Sequence, residues 1–284
     1  MGRMQVGGVS VDWLEQGSGE PVVLLHSTGA SGAQWRALVE RLAQRHHVLV
    51  PDLLGYGATG DWGGNGAFSL AHEGAIVAAL LDRVHEPAHL VGHSYGGAVA
   101  LHVARAQPQR VRSLALFEPV AFHLLRTGDP LDEAALREVS EAAAFVAHAH
   151  AAGDADAAAA CFVDYWSGPG TWTAMPPARR DAMASRVGKV VLDFQAVFRE
   201  PVCAQEFQRL RLPTLLMQGD RSPLSARRVS RLLSRTLPAV RTVTFRGAGH
   251  MAPLTHRDEV NEQIVAHLAA CRPARATAGD TLAA

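Results

Sequence analysis

Short runs of continuous apolar residues alternate along this chain with longer stretches whose apolar positions recur at helical spacing. Residues 4–15 alternate apolar and polar about Gly7-Gly8, with Val9, Val11 and Trp13 on one side, which predicts a β-hairpin. Pro21-Val22-Val23-Leu24-Leu25, His47-Val48-Leu49-Val50 and Ala88-His89-Leu90-Val91 read as strands covered on both faces. Val111 to Phe117, Thr214 to Met217 and Val240 to Phe245 extend that set. Ser69 is a natural N-cap for a helix carrying Ile76, Val77, Leu80, Leu81 and Val84 on one face. Residues 225–236 predict another helix, and a last one presents Val260, Ile264, Val265 and Leu268.

Strands alternating with helices predict an α/β fold, a mostly parallel twisted sheet flanked by helices. From about 120 to 210 the rhythm changes to alanine-rich helical sequence with no buried-strand run. Such a block is expected to lie as a cap over the C-terminal ends of the strands, where sheets of this kind place their ligands. The expected division is a core of 1–119 and 211–271, a helical cap of 120–210, and a disordered tail of 272–284.

Composition narrows the function classes. With 284 residues and 48% hydrophobic content the chain can bury a large core. Its 27 basic residues balance 27 acidic ones, so charge makes no case for nucleic acid or an anionic membrane. Cys161, Cys203 and Cys271 are too scattered for a disulfide framework or a metal site. The N-terminus runs into strand alternation with no signal-like apolar block, and no run approaches the roughly 18 apolar residues of a membrane span. A cytoplasmic protein without metal or cofactor is expected, and the pattern leaves its oligomeric state open.

The chemistry concentrates at Gly92-His93-Ser94-Tyr95-Gly96-Gly97, between an apolar strand and a helix-like run. Strand, sharp turn and helix with serine at the bend make a nucleophile elbow, which lifts the hydroxyl clear of the sheet. Serine needs a base near neutral pH, and His250 in Gly247-Ala248-Gly249-His250, past the last strand, is the candidate. Backbone amides of Tyr95 and of Thr28, in His26-Ser27-Thr28-Gly29, are the candidate oxyanion donors.

These segments, with Trp35-Arg36, Asp52-Leu53-Leu54-Gly55-Tyr56-Gly57 and Gly219-Asp220-Arg221-Ser222-Pro223, resemble the α/β-hydrolase fold family in its cap-bearing form. They run in family order from residue 4 to about 270. The chain departs from the family in carrying His26-Ser27 where His-Gly is usual. It also departs at the acid. The resemblance expects a carboxylate three residues beyond Gly219, where Ser222 stands. Two candidates remain: Asp220 close by, and Glu118 at the end of the strand beyond the serine. Glu118 is favoured because some haloalkane dehalogenases similar to this chain place their acid there.

Family members that cleave carbon–halogen bonds or epoxides carry aspartate at the elbow, so Ser94 points instead to acyl transfer. The expected function is hydrolysis of a carboxylic ester or lactone with an apolar portion, esterase- or lactonase-like. A C–C bond hydrolase, an acyltransferase or cyclase, and a non-catalytic receptor are the competing readings. Among the aromatic residues of the cap, Trp166 and Trp172 flank Gly168-Pro169-Gly170 and are expected to line an apolar acyl site, with Met251, next after His250, expected to touch substrate.

Overall fold

One eight-stranded sheet organises the protein, with the spatial order β1-β2-β4-β3-β5-β6-β7-β8. The strands are β1 (Gly2–Val6), β2 (Val9–Gln16), β3 (Glu20–Leu25), β4 (His46–Pro51), β5 (Ala88–His93), β6 (Val111–Phe117), β7 (Thr214–Gly219) and β8 (Val240–Phe245). The structure, a computed structural model, describes residues 1–271, and the tail expected to be disordered lies outside the described residues. β1 and β2 form the expected hairpin and pair antiparallel, as do β2 and β4, and every other pairing is parallel.

The helices are α1 (Arg36–Leu42), α2 (Leu70–Arg83), α3 (Tyr95–Ala106), α4 (Pro130–Ala151), α5 (Ala155–Ser167) and α6 (Thr171–Ala174). They continue as α7 (Pro177–Ala184), α8 (Val187–Arg199), α9 (Ala204–Phe207), α10 (Leu224–Thr236), α11 (Ala252–Thr255) and α12 (Arg257–Ala270). Among the described residues no helix is long and apolar enough to cross a membrane.

The two faces of the sheet explain why its strands read as unbroken apolar runs. Val22, Leu24, Val48, Val50 and Val91 pack with Leu38 of α1 and with Val260, Ile264 and Leu268 of α12. The alternate positions Val23, Leu25, Leu49 and Leu90 face the other side, with Ile76, Val77, Leu80 and Leu81 of α2. Each such side chain, buried from water, contributes about 1.5–3 kcal/mol relative to exposure. The start of α2 follows from its sequence too, since the Ser69 amide donates to His72 Nδ1 at 3.1 Å.

Register then gathers the chemistry. Leu25 pairs with Gly92, His93 with Phe117, and Phe117 with Met217. The chain therefore leaves β3, β5, β6 and β7 at one level of the same edge, and Ser27, Ser94, Glu118 and Asp220 all follow there. Helices α4 to α9 stand between β6 and β7 in the chain.

Two buried ionic contacts fasten this helical block to the sheet. Arg228 of α10 donates to Asp132 of α4 at 2.5 Å. The only lysine of the chain, Lys189 of α8, bonds both Asp193 one turn on and Glu73 of α2, the latter at 3.0 Å. Its ammonium lies over the rings of Tyr56, Phe68 and Tyr95 at 4.7–4.9 Å from their centroids. All three charged side chains are buried, and desolvation pushes the Glu73 carboxyl above its ordinary range. Removing the shared cation leaves two carboxylates facing each other without a counter-charge. Lys189→Met is therefore expected to cost about 3–5 kcal/mol, read as a lower urea midpoint at unchanged slope. A loss under about 1 kcal/mol, the range of exposed pairs, would show that the network does not hold the block.

Candidate active site

Ser94 closes β5 and caps α3, and its backbone sits at φ 55° and ψ −116°. That conformation is costly for a side-chain-bearing residue, about 1–3 kcal/mol, and the sheet imposes it. The Ser94 amide donates to the Phe117 carbonyl, and its own carbonyl accepts from Val120. Small neighbours are obligatory: a Cβ on Gly96 would collide with the backbone of Leu25 and His26, and one on Gly92 with Gly96 and Gly97.

Glu118 ends the adjacent strand and is likewise at positive φ, 42°. Its carboxylate is buried and doubly engaged. Oε1 accepts from the Gly219 amide at 2.7 Å, and Oε2 lies 2.7 Å from His250 Nδ1. A carboxylate held this way fixes the imidazole with its proton on Nδ1 and leaves Nε2 as the basic nitrogen. Asp220, the other acid considered, is exposed and instead accepts from the Gly247 amide at 2.8 Å. It shapes the loop that precedes the histidine rather than meeting it. Ser222, where the resemblance expected a carboxylate, is buried with its hydroxyl unpartnered among the described residues.

His250 is packed between two rings. Trp166 of α5 lies over it with centroids 4.0 Å apart, and His93 lies at 5.0 Å. His93 is the hinge of a longer chain of bonds. Its Nε2 donates to the His250 carbonyl at 2.9 Å, and its Nδ1 accepts from the Gln34 amide at 3.2 Å. Gln34 Oε1 in turn accepts from the amide and hydroxyl of Ser27. The loop after β3 is thereby tied to the histidine loop. His26 donates from Nδ1 to the Ser27 carbonyl and accepts from the Leu53 amide at Nε2. Both roles demand a neutral ring.

Ser94, His250, Thr28, Trp166 and Met251 line one cavity of about 360 Å³. Thr28 and Tyr95 also meet Ser94 in a smaller adjoining pocket. Tyr95 is the first residue of α3, where amides lack intrahelical acceptors. Among the described residues neither the Thr28 nor the Tyr95 amide donates to a protein acceptor. The Thr28 hydroxyl, by contrast, donates to Asp193 Oδ2 at 2.7 Å, as does Tyr56 at 2.7 Å. The block of helices thus holds the loop that carries Thr28.

Trp172 is a correction. It is buried away from both pockets, its amide bonded to Asp164 at 2.7 Å and its ring facing Arg180. The Gly168-Pro169-Gly170 turn sends the two tryptophans to different surroundings. Phe145, another aromatic residue of the helical block, is exposed on α4. Phe162, one of the aromatic residues of the helical block, lines the cavity, as do Met175 and Met183, which carry no sequence signal beyond apolarity. Asp193 also went unnoticed, because Lys189 and Asp193 at i and i+4 have the spacing of an ordinary surface pair. Among the described residues no three His, Cys, Asp or Glu side chains group as metal ligands.

The sequence profile described as the alpha/beta hydrolase fold matches residues 20–257. A 2-hydroxy-6-oxo-2,4-heptadienoate hydrolase of Pseudomonas putida is 40% identical over 128 residues, 42% of this chain and 45% of that protein. The matched stretch thus spans less than half of that relative. A thermophilic esterase from Thermogutta terrifontis superposes with a TM-score of 0.76 at 21% identity, covering 96% of this chain and 100% of its own. An enol-lactonase from Burkholderia xenovorans LB400 gives 0.75 at 19% identity, covering 94% and 100%. At such identities the two structures speak for the fold.

The buried histidines set an acid limit on stability. Burial holds His26 down to about 4 and His93 well below its ordinary value. Below about pH 6.5 the unfolded chain takes up protons that the folded rings refuse. Stability is therefore full above that pH and falls as the pH drops toward 4, by up to about 1.4 kcal/mol per pH unit for each ring. Urea midpoints from pH 7 to 4.5 should show this, with a slope shallower by about one proton in His93→Gln. A profile that stays flat would mean that the native rings are charged.

Proposed function

This chain belongs to the alpha/beta hydrolase fold family, and on that premise we propose that it is a serine hydrolase cleaving a carboxylic ester or lactone. The observation that carries the proposal is the buried Glu118–His250 contact of 2.7 Å beside a cavity that Ser94 and His250 share. Aspartate at the elbow would attack an alkyl carbon. A serine hydroxyl with an oriented imidazole suits an acyl carbon.

In the proposed cycle Ser94 Oγ attacks the substrate carbonyl carbon while His250 Nε2 takes its proton. Glu118 stabilises the imidazolium that results. The carbonyl oxygen becomes an oxyanion, and the amides of Thr28 and Tyr95 donate to it. Collapse breaks the bond to the leaving alkoxide, which receives the proton from Nε2. Water then attacks the acyl-enzyme, with His250 accepting its proton and returning one to Ser94. Each oxyanion donor is worth about two to three powers of ten in turnover. The bonds from Asp193 to Thr28 and from Gln34 to Ser27 support the donor loop. Trp166 shields one face of the imidazole, and Met251 borders the acyl site.

A panel of p-nitrophenyl esters and lactones tests the proposal. A burst of p-nitrophenol stoichiometric with enzyme is expected, absent in Ser94→Ala. Turnover that survives Ser94→Ala would falsify the acyl-enzyme.

The acid has its own test. Glu118→Gln is expected to lower kcat by about 10³–10⁴-fold with little change in KM, by loss of imidazolium stabilisation. Asp220→Asn keeps an acceptor for the Gly247 amide and should stay within a few-fold of wild type. Were the effects reversed in folded proteins, the assignment of Glu118 would be wrong.

A further inference from the structure

The cavity beside Ser94 carries charge of one sign. Arg179 and Arg186 line it, and no aspartate or glutamate does. The acid on the inner side of Ser94, Asp193, is already bonded to Lys189, Thr28 and Tyr56. Among the described residues neither guanidinium has a hydrogen-bond or ion-pair partner. Sequence spacing explains why. Arg179, Ala182 and Met183 recur at i, i+3 and i+4 of α7 and so share the face that lines the cavity, and Arg186 joins them from the turn between α7 and α8. The positions three and four away from either arginine hold no acid. Asp181, the acid of α7, sits two residues from Arg179 and so faces elsewhere.

Apart from Ser27, Thr28, Ser94, Ser167 and His250, the rest of the lining is apolar, with Phe162, Trp166, Met175, Met251 and Leu254 its largest side chains. The planar guanidinium fork of an arginine on such a wall fits a carboxylate with two parallel hydrogen bonds.

Resting on the hydrolase reading above, we propose that Arg179 and Arg186 form an anion subsite. The substrate is then an ester or lactone that bears a carboxylate, separated from the scissile acyl group by an apolar segment. The apolar walls take that segment, Ser94 takes the acyl carbon, and the arginines select acid-bearing substrates over neutral ones of the same shape. The subsite binds and orients, and no proton or electron moves there.

Two measurements test this, one without turnover. In the first, kcat/KM is compared for the p-nitrophenyl monoester of suberic acid and for the same ester with its free acid methylated. The free acid is expected to be favoured roughly tenfold or more, the scale of a charge-assisted hydrogen bond. The preference should shrink as ionic strength rises. In Arg179→Gln and Arg186→Gln the ratio should fall toward one, and in the double variant carrying glutamate at both positions it should invert.

In the second, calorimetry on Ser94→Ala compares binding of monomethyl suberate and dimethyl suberate, with the same preference expected. Ser94-dependent turnover of neutral esters with no preference in either measurement overturns the subsite and leaves the hydrolase reading intact. Preferential binding of the monoacid with no turnover of any ester overturns the hydrolase reading and leaves the subsite standing.

Discussion

Two strained residues at the ends of neighbouring parallel strands hold the site together. Ser94 and Glu118 both adopt positive φ without being glycine. Neither conformation is stable by itself. Each persists because the ladder continues past it: Ser94 donates to Phe117, Glu118 donates to Met217, and Val120 donates back to Ser94. The bends turn the hydroxyl and the carboxylate out of the sheet at the same edge. His250 then enters from the loop beyond β8, and one short contact to Glu118 sets its direction. The strain is stored where folding of the whole sheet can hold it.

Around that edge the protein uses neutral and charged hydrogen bonds for different purposes. The path from Ser27 through Gln34 and His93 to the His250 carbonyl is built of uncharged groups. Every member has a fixed donor or acceptor role, so the two loops cannot shift independently. The charged network of Glu73, Lys189 and Asp193 instead joins separate layers. Its desolvation is expensive, and geometry of this quality offsets that cost only when the partners stay in place. It locks α8 onto α2, and through Asp193 onto Thr28 and Tyr56. The wall of the cavity and the loop beneath it are thereby one rigid piece.

The location of Glu118 shows how the parts depend on one another. A carboxylate after β7 would approach the histidine from the neighbouring strand end. Here the Gly219 amide, at the end of β7, binds Glu118 instead. Asp220 is left free to brace Gly247. One strand end supplies the acid and the next supplies its support, and the serine at 222 leaves that space uncharged.

By itself the sequence determined the strands, the helices α2, α3, α10 and α12, and the residue types on which the candidate site rests. Continuous apolar runs can satisfy only a sheet covered on both faces, and glycines about a serine after such a run suit only a sharp turn. Those are local constraints, readable in one stretch of chain. The acid was legible only as a pair of candidates, and the register of β5, β6 and β7 brings Glu118 rather than Asp220 against His250. The face each helix presents was beyond local reading. Trp166 and Trp172 are six residues apart and similar in context, yet one stacks on His250 and the other packs against Arg180. Lys189 and Asp193 have the i, i+4 spacing of a surface pair, and it is Glu73 of α2 packed against them that makes the network buried. Tertiary structure alone made these choices, because burial depends on what arrives from distant sequence to exclude the water.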